Sequence, residues 1–302
     1  MELGGARRMQ PGTRLADALR SGKFALTAEY VPPPGADGSV IKRHAASLSL
    51  ALDAVVVADN HEAISASALA CSSILAAEGV EPILMISTRD RNRIALQSDV
   101  LGAAMLGVAN FLCLSGDHQS LGACPEAAGA FDIDSVQLVQ ALTRMRDEGV
   151  LLGGTPLPSR PPLFVGAAAQ PYLRPLELAL IGLRKKVEAG AEFLLTQPVF
   201  DVDGFAEWMS AVRNAGLHER THILAGVRPL ASVEQAERLG VPGGLIARLR
   251  ESPDPALEGI RVCADIAAQV KDIEGVRGIH ILSSGSDGAA GDVIQQAGLS
   301  RP

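Results

Sequence analysis

Apolar residues fall along the chain in two alternating patterns. Stretches with helical spacing end in glycine, a few residues follow, and a short, uniformly apolar run begins. The junction recurs in EGVEPILMI (78–86), LGVANFLCL (106–114), AGAEFLLTQ (189–197) and EGVRGIHIL (274–282). Glycine suits the left-handed residue that terminates a helix. Apolar runs this short read as buried parallel strands. Eight runs fit: 24–30, 53–58, 82–86, 110–115, 163–168, 192–196, 222–227 and 278–282. Helical patterns lie between them at 38–51, 62–78, 91–106, 134–148, 174–189 and 201–215, and 10–22 reads as a short helix closing the bottom of the fold.

Strand–helix alternation requires parallel pairing through right-handed crossovers. Eight such units in roughly 250 residues is the arithmetic of a (βα)8 TIM barrel. The expected fold class is therefore α/β, a single barrel domain over 1–302 with a short N-terminal helix. A doubly wound open sheet is the alternative, weakened by the lack of a G-x-G-x-x-G after the first strand. The Gly- and Pro-rich segment VLLGGTPLPSRPP (150–162) reads as a loop and not a domain boundary, because the alternation resumes at once. SSGSDGAAGD (283–292) reads as a loop leading into a last helix.

Composition narrows the class. Of 302 residues 47% are hydrophobic but only 3% aromatic, so Ala, Val, Ile and Leu must fill the core. The net charge is −7 with both signs spread along the chain, which excludes the basic stripe of a nucleic-acid surface. No run approaches the ~20 apolar residues of a membrane span, and MELGGARRMQPGTRL has no apolar segment after its arginines, as a secretory signal would. Cys71, Cys113, Cys124 and Cys263 are scattered without a C-x-x-C pair, so reduced inert thiols are expected, no zinc site, and a cytoplasmic location.

Active-site residues of a barrel lie at the C-terminal ends of its strands. In order those ends offer Glu29; Asp59 and Asn60; Ser87, Thr88 and Arg89; Ser115, Gly116, Asp117 and His118; Gln170; Gln197; Arg228; and Ser283. Glu29, in FALTAEYVPPPG, sits at an apolar rim, where desolvation favours the protonated carboxyl that a general acid needs. The alternative is an ion pair with Arg89 or Arg228. Asp117 follows Gly116, which lets backbone approach a ligand, and its carboxylate suits a pair of N–H donors on a heterocycle; the alternative is a cap on the next segment. Gln197 offers a donor and an acceptor to the amide edge of a pterin or flavin, or else a structural bond across the mouth. His118 is placed to touch a ligand, His44, His61, His218 and His222 read as surface or helix-end residues, and His280 as a satisfied core histidine. No metal-ligand spacing occurs, so no metal is expected. Gly285, Gly288 and Gly291 read as a mobile loop more readily than as a phosphate cradle.

These residues carry a resemblance. TAEYVPPPG resembles the first-strand motif of the methylenetetrahydrofolate reductases, and VVVADNH and STRDRNRIALQSDVLGA resemble the second and third strand segments of their acetogen-like branch. CLSGD is similar to the fourth-strand signature, GAAAQP to the fifth, and RKKVEAGAEFLLTQPVFD to the helix and strand that follow. The resemblance implies reduction of 5,10-methylenetetrahydrofolate to 5-methyltetrahydrofolate, with NAD(P)H as hydride source and a flavin, usually FAD, as relay; FMN or direct transfer without flavin stays open. It implies Glu29 as the acid that protonates N10, Asp117 and Gln197 as the pterin grip, and Ala58, Asp59, Ser87, Ser115, Gly116, His118, Gln170 and Lys186 around the flavin. The chain departs from the better-known branch at Ala58 (Thr there), near Met85 (His), at Ser115 (Arg), at Ala179 and Gly182 (Asp and Asn), and near Ser286 (Arg). The implied partner is a tetrahydrofolate derivative, with a homo-oligomer or a reductase partner subunit as further options. Two other functions stay open: a folate-dependent methyltransferase or demethylase on the same barrel, and a partner-dependent subunit of a larger reductase.

Overall fold

The computed structural model describes residues 12–48, 52–60, 63–122, 124–285 and 288–300. In chain order they form α1 (Arg14–Arg20), β1 (Ala25–Tyr30), α2 (Gly38–Leu48), β2 (Ala54–Val57), α3 (Ala68–Ala77), β3 (Pro82–Ser87), α4 (Arg93–Met105), β4 (Asn110–Leu114), α5 (Ser135–Asp147), β5 (Phe164–Ala169), α6 (Leu176–Glu188) and β6 (Phe193–Pro198). They continue with α7 (Val202–Asn214), β7 (His222–Val227), α8 (Val233–Arg238), α9 (Gly243–Glu251), α10 (Pro255–Lys271), β8 (Val276–Ile281) and α11 (Ala289–Gln296). The eight strands close in sequence order into an all-parallel barrel, β8 pairing back onto β1. This is the (βα)8 barrel expected from the alternation.

The helix ends explain the register. Gly79, Gly107, Gly190 and Gly275, the four glycines of the recurrent junction, all have positive φ, from +80 to +105°. Gly79, Gly107 and Gly190 each follow a helix C-cap directly, and Gly275 turns the chain just before β8; each fixes the phase of the apolar run that follows. Starts are set by side-chain caps: Asn92 accepts from the N–H groups of Ile94 and Ala95, and Asp134 closes a capping box with Gln137.

Side chains alternate across each strand. Leu26, Ala28 and Tyr30 of β1 face the helix layer, while Ala25 joins an inner cluster with Val56, Ile83, Leu112, Phe164, Phe193 and Leu224. α1 plugs the bottom of that cluster with Leu15, Ala16 and Leu19. Phe164 and Phe193 stack inside at 5.1 Å, and Gly166 makes room for them, since a Cβ there would strike the Phe193 ring. All these apolar side chains are under a tenth exposed, so the barrel is filled at this level and any open space must lie at its mouth.

Three differences from the sequence expectation have clear causes. The helix expected over 62–78 begins only at Ala68, because Ser65 and Ala66 donate their N–H groups to Asn60 Oδ1 and to the Pro33 carbonyl. That pins the preceding segment to the rim. The β7–β8 crossover holds three helices where one would close the unit; Pro242 starts α9 and Pro255 starts α10, and neither can continue a helix through itself. Strand β6 runs on to Pro198, with a register shift against β7 between Leu195 and Pro198. His61 and Ser286 lie outside the described residues. Cys71, Cys113 and Cys263 are buried free thiols and Cys124 is a half-buried one. No helix among the described residues is long and apolar enough to cross a membrane.

Candidate active site at the barrel mouth

A closed all-parallel barrel brings the C-terminal ends of all eight strands to one face, so Glu29, Asp59, Ser87, Asp117, Gln170, Gln197 and Ser283 share one rim. What distinguishes them is how much of their hydrogen-bonding capacity the fold itself consumes.

Glu29 follows Ala25 and Thr27 on the inward face of β1. It is half-buried, and its Oε2 accepts the Ser283 N–H at 3.0 Å from just beyond β8. Of the two arginines weighed as its ion-pair partners, Arg89 makes no salt bridge to it. Arg89 turns instead to Asp90. One layer below, Thr27 Oγ1 and His280 Nδ1 lie 3.1 Å apart. His280 is buried, and burial pulls its pKa down to about 3, so it is a neutral core histidine as expected.

Asp117 and Gln197 are both exposed. Neither the Asp117 carboxylate nor the Gln197 amide hydrogen-bonds to any described residue. Gly116, just before Asp117, has φ +81°, and a Cβ on it would strike Ser87 Oγ and come within 2.9 Å of Arg89 Cβ. Only glycine lets this turn lie flat on the end of β3.

The other expected contacts are largely spent. The Asp59 carboxylate, buried at the end of β2, accepts Arg91 Nη1 at 2.7 Å, Arg91 Nη2 at 3.1 Å and the Ser87 N–H at 3.1 Å. Ala58 is buried and donates its N–H to the Tyr30 carbonyl. Ser87 Oγ donates to the Ser115 carbonyl, and Ser115 Oγ accepts the Ser135 N–H at the start of α5. Asp59, Ser87, Ser115 and Gly116 thus form one connected group that braces the rim. Gln170 is exposed and lines a small recess of about 40 Å³ between β5, α6 and α7, together with Ala179, Gly182, Lys186 and Trp208. Lys186 Nζ donates to the Ala168 carbonyl at 2.7 Å, and burial lowers its pKa against a weaker pull from Asp134. The Trp208 Nε1 is buried without a partner among the described residues.

Two features of the rim were not legible in the sequence. Arg91, visible there only as part of a DRNR run, is the clamp on Asp59 and also reaches Asp99 at 3.0 Å. Phe131, in the loop after β4, is 42% exposed with φ +38° and stacks on His118 at 6.4 Å, nearly parallel. An exposed aromatic in a chain with only seven Phe, two Tyr and one Trp was the available signal. A non-glycine residue held at positive φ marks a constrained site.

Known proteins bear on this geometry. Methylenetetrahydrofolate reductase 2 of Saccharomyces cerevisiae is 30% identical over 118 residues, covering 35% of this chain and 19% of that protein. The 5,10-methylenetetrahydrofolate reductase of Escherichia coli is 24% identical over 183 residues, covering 58% of this chain and 55% of that protein. A probable methylenetetrahydrofolate reductase (NADPH) of Caenorhabditis elegans is 21% identical over 254 residues, 80% of this chain and 36% of that protein. The matched part is thus at most about half of each of these relatives. Among solved structures, an uncharacterized protein from Clostridium thermocellum that binds two copies of 5-methyl-5,6,7,8-tetrahydrofolic acid superposes with a TM-score of 0.64 at 14% identity, covering 94% of this chain and 97% of that one. DmoA from Hyphomicrobium sulfonivorans gives 0.55 at 13% identity, covering 90% and 86%; at these identities the likeness shows the fold alone. The methylenetetrahydrofolate reductase family profile matches residues 14–298, from α1 to beyond α11, and the chain belongs to that family.

Proposed function

We propose that this chain reduces 5,10-methylenetetrahydrofolate to 5-methyltetrahydrofolate with a hydride from NAD(P)H, relayed by a bound flavin, with FAD the first candidate. The observation that carries the reading is the unspent chemistry of the rim. Asp117 and Gln197 hold hydrogen-bonding capacity that the fold does not use, and Glu29 lies on the same face with one of its carboxylate oxygens bonded. Asp117 accepts the paired N–H groups of the aminopyrimidine edge of a pterin, and Gln197 meets its amide edge with one donor and one acceptor. Glu29, on the inward face of β1, delivers the proton to N10 as the bond from the bridging carbon to N10 breaks; the resulting iminium at N5 then receives the hydride. That the Clostridium thermocellum protein, of the same fold, binds 5-methyl-5,6,7,8-tetrahydrofolic acid supports the choice of substrate class.

The rim fits a flavin at a subset of the expected residues. The bare backbone at Gly116, the exposed His118 and Gln170 and the partly satisfied Lys186 ammonium remain able to meet one. Asp59, Ser87 and Ser115 are spent on one another beside Gly116. The flavin supplies the two-electron relay between nicotinamide and folate; the protein supplies position and one proton.

The internal use of Asp59, Ser87 and Ser115 favours one second reading, folate-dependent methyl transfer without a flavin. One absorbance series separates the two. Purified protein showing yellow flavin bands that bleach with NAD(P)H and return with methylenetetrahydrofolate bears out the reductase. Colourless protein that consumes NAD(P)H only with the folate present retains the reaction and removes the flavin. No folate-dependent oxidation of either nicotinamide sinks the reductase.

A further inference from the structure

Arg89 stands at the end of β3 with its side chain 9% exposed. Its guanidinium is fixed on two sides. Nε and Nη2 fork onto the Asp90 carboxylate, both at 2.8 Å, and Nη2 also donates to the Asn60 carbonyl at 2.8 Å. Its own carbonyl accepts the Ala130 N–H at 2.7 Å, so it ties the returning limb of the long β4–α5 loop as well. The outgoing limb of that loop rests on its stem, because Gly116 packs against Arg89 Cβ and Ser87 Oγ. Nη1 makes no hydrogen bond to a described residue and is not sealed from solvent.

We propose that Arg89 is a positioning residue for folate recognition, holding the Gly116–Asp117 turn in place so that the Asp117 carboxylate meets the pterin. The inference rests on the folate reading of the site. Asp117 has no hydrogen bond of its own to a described residue, so no other described contact fixes the carboxylate where a ligand needs it. A guanidinium suits this role. It stays charged at any working pH, and its planar fork is locked by two neighbours while one edge remains free. The Arg89 pKa is raised, first by its bond to Asp90 and then, against burial, by the charges of Asp90, Asp59 and Asp117, so the Asp117 charge is felt at the guanidinium. The arrangement also accounts for the glycine at 116. A side chain there would lift the turn away from Arg89 and Ser87 and displace the acceptor that follows it.

The experiment is a double-variant cycle read by the dissociation constant of 5-methyltetrahydrofolate and, separately, by the KM for the nicotinamide nucleotide. Arg89→Gln removes the charge together with the fork onto Asp90 and the bond to the Asn60 carbonyl; it weakens folate binding about tenfold, the effect of one lost charge-assisted contact. The nicotinamide KM stays near that of the parent, while the melting temperature falls with the loss of the fork onto Asp90. Arg89→Lys, which restores the charge, recovers most of the folate affinity. In an Asp117→Asn background, Arg89→Gln adds little, because the residue it serves has already lost its charge. Losses that multiply in the double variant, equal weakening of both ligands, or a failure of lysine to rescue would each overturn the inference. If Asp117→Asn alone binds folate like the parent, the folate reading fails and takes this inference with it. If Asp117→Asn is weak while Arg89→Gln is normal, only the role of Arg89 falls.

Discussion

Arg91 closes a two-pronged ion pair on Asp59, at 2.7 and 3.1 Å, with the Asp59 side chain only 1% exposed. The pair joins the end of β2 to the loop before α4 and so sets the shape of one quadrant of the rim. Arg91→Met strands a buried carboxylate, and breaking such a pair from one side costs about 3–5 kcal/mol. Asp59→Asn costs less, because Arg91 is 20% exposed and keeps Asp99 as a partner. Urea midpoints of the two variants check this. An Arg91→Met variant as stable as the parent would show that the pair is incidental.

Glu29→Gln removes the transferable proton but keeps an oxygen to accept the Ser283 N–H, so the fold at the β1–β8 seam stands. Folate reduction falls by on the order of a hundredfold to ten-thousandfold, the usual worth of a positioned acid. NAD(P)H oxidation by an artificial electron acceptor continues as in the parent. Folate turnover that survives the substitution would take Glu29 out of the mechanism.

Gln197→Ala removes an exposed amide that bonds to no described residue. Stability is therefore unaffected, and folate affinity drops by about 1 kcal/mol for each lost hydrogen bond, roughly fivefold. The nicotinamide KM does not follow. Equal losses for the two ligands, or a lowered melting temperature, would return Gln197 to a structural role.

The barrel was legible because glycine stops and short apolar runs are local signals, and they repeat. All eight strands lie within a few residues of their expected positions, and Gly79, Gly107, Gly190 and Gly275 adopt the left-handed geometry the pattern demanded. The rim was legible only as a set of strand ends. Whether a polar residue there faces a ligand or the fold depends on partners far away in sequence. Asp59 and Asp117 look alike in the chain, but Arg91, 32 residues on, consumes the first, and no described residue consumes the second. The three-helix crossover before β8 has its signal in Pro242 and Pro255.

Two histidines give the protein a predictable response to acid. His280, inside the barrel against Thr27, is held down to about 3 by burial. His222, at the start of β7, is held at about 4 by burial and by the nearby charges of Arg277 and Arg20. Both take up a proton near pH 6.5 once unfolded, so between pH 6.5 and their folded values the unfolded chain binds more protons than the native one. The stability they contribute is complete above pH 6.5 and drains as the pH falls toward 4 and then 3. Each histidine steepens the loss by up to about 1.4 kcal/mol per pH unit within its window. His280→Gln, which keeps a polar partner for Thr27 but cannot charge in this range, has a shallower acid limb than the parent from pH 6.5 downward. Denaturant midpoints taken across that interval read the difference directly. Parallel curves for the two proteins would mean that His280 protonates in the folded barrel as easily as in the open chain, and that its seat beside Thr27 is not as closed as the packing shows.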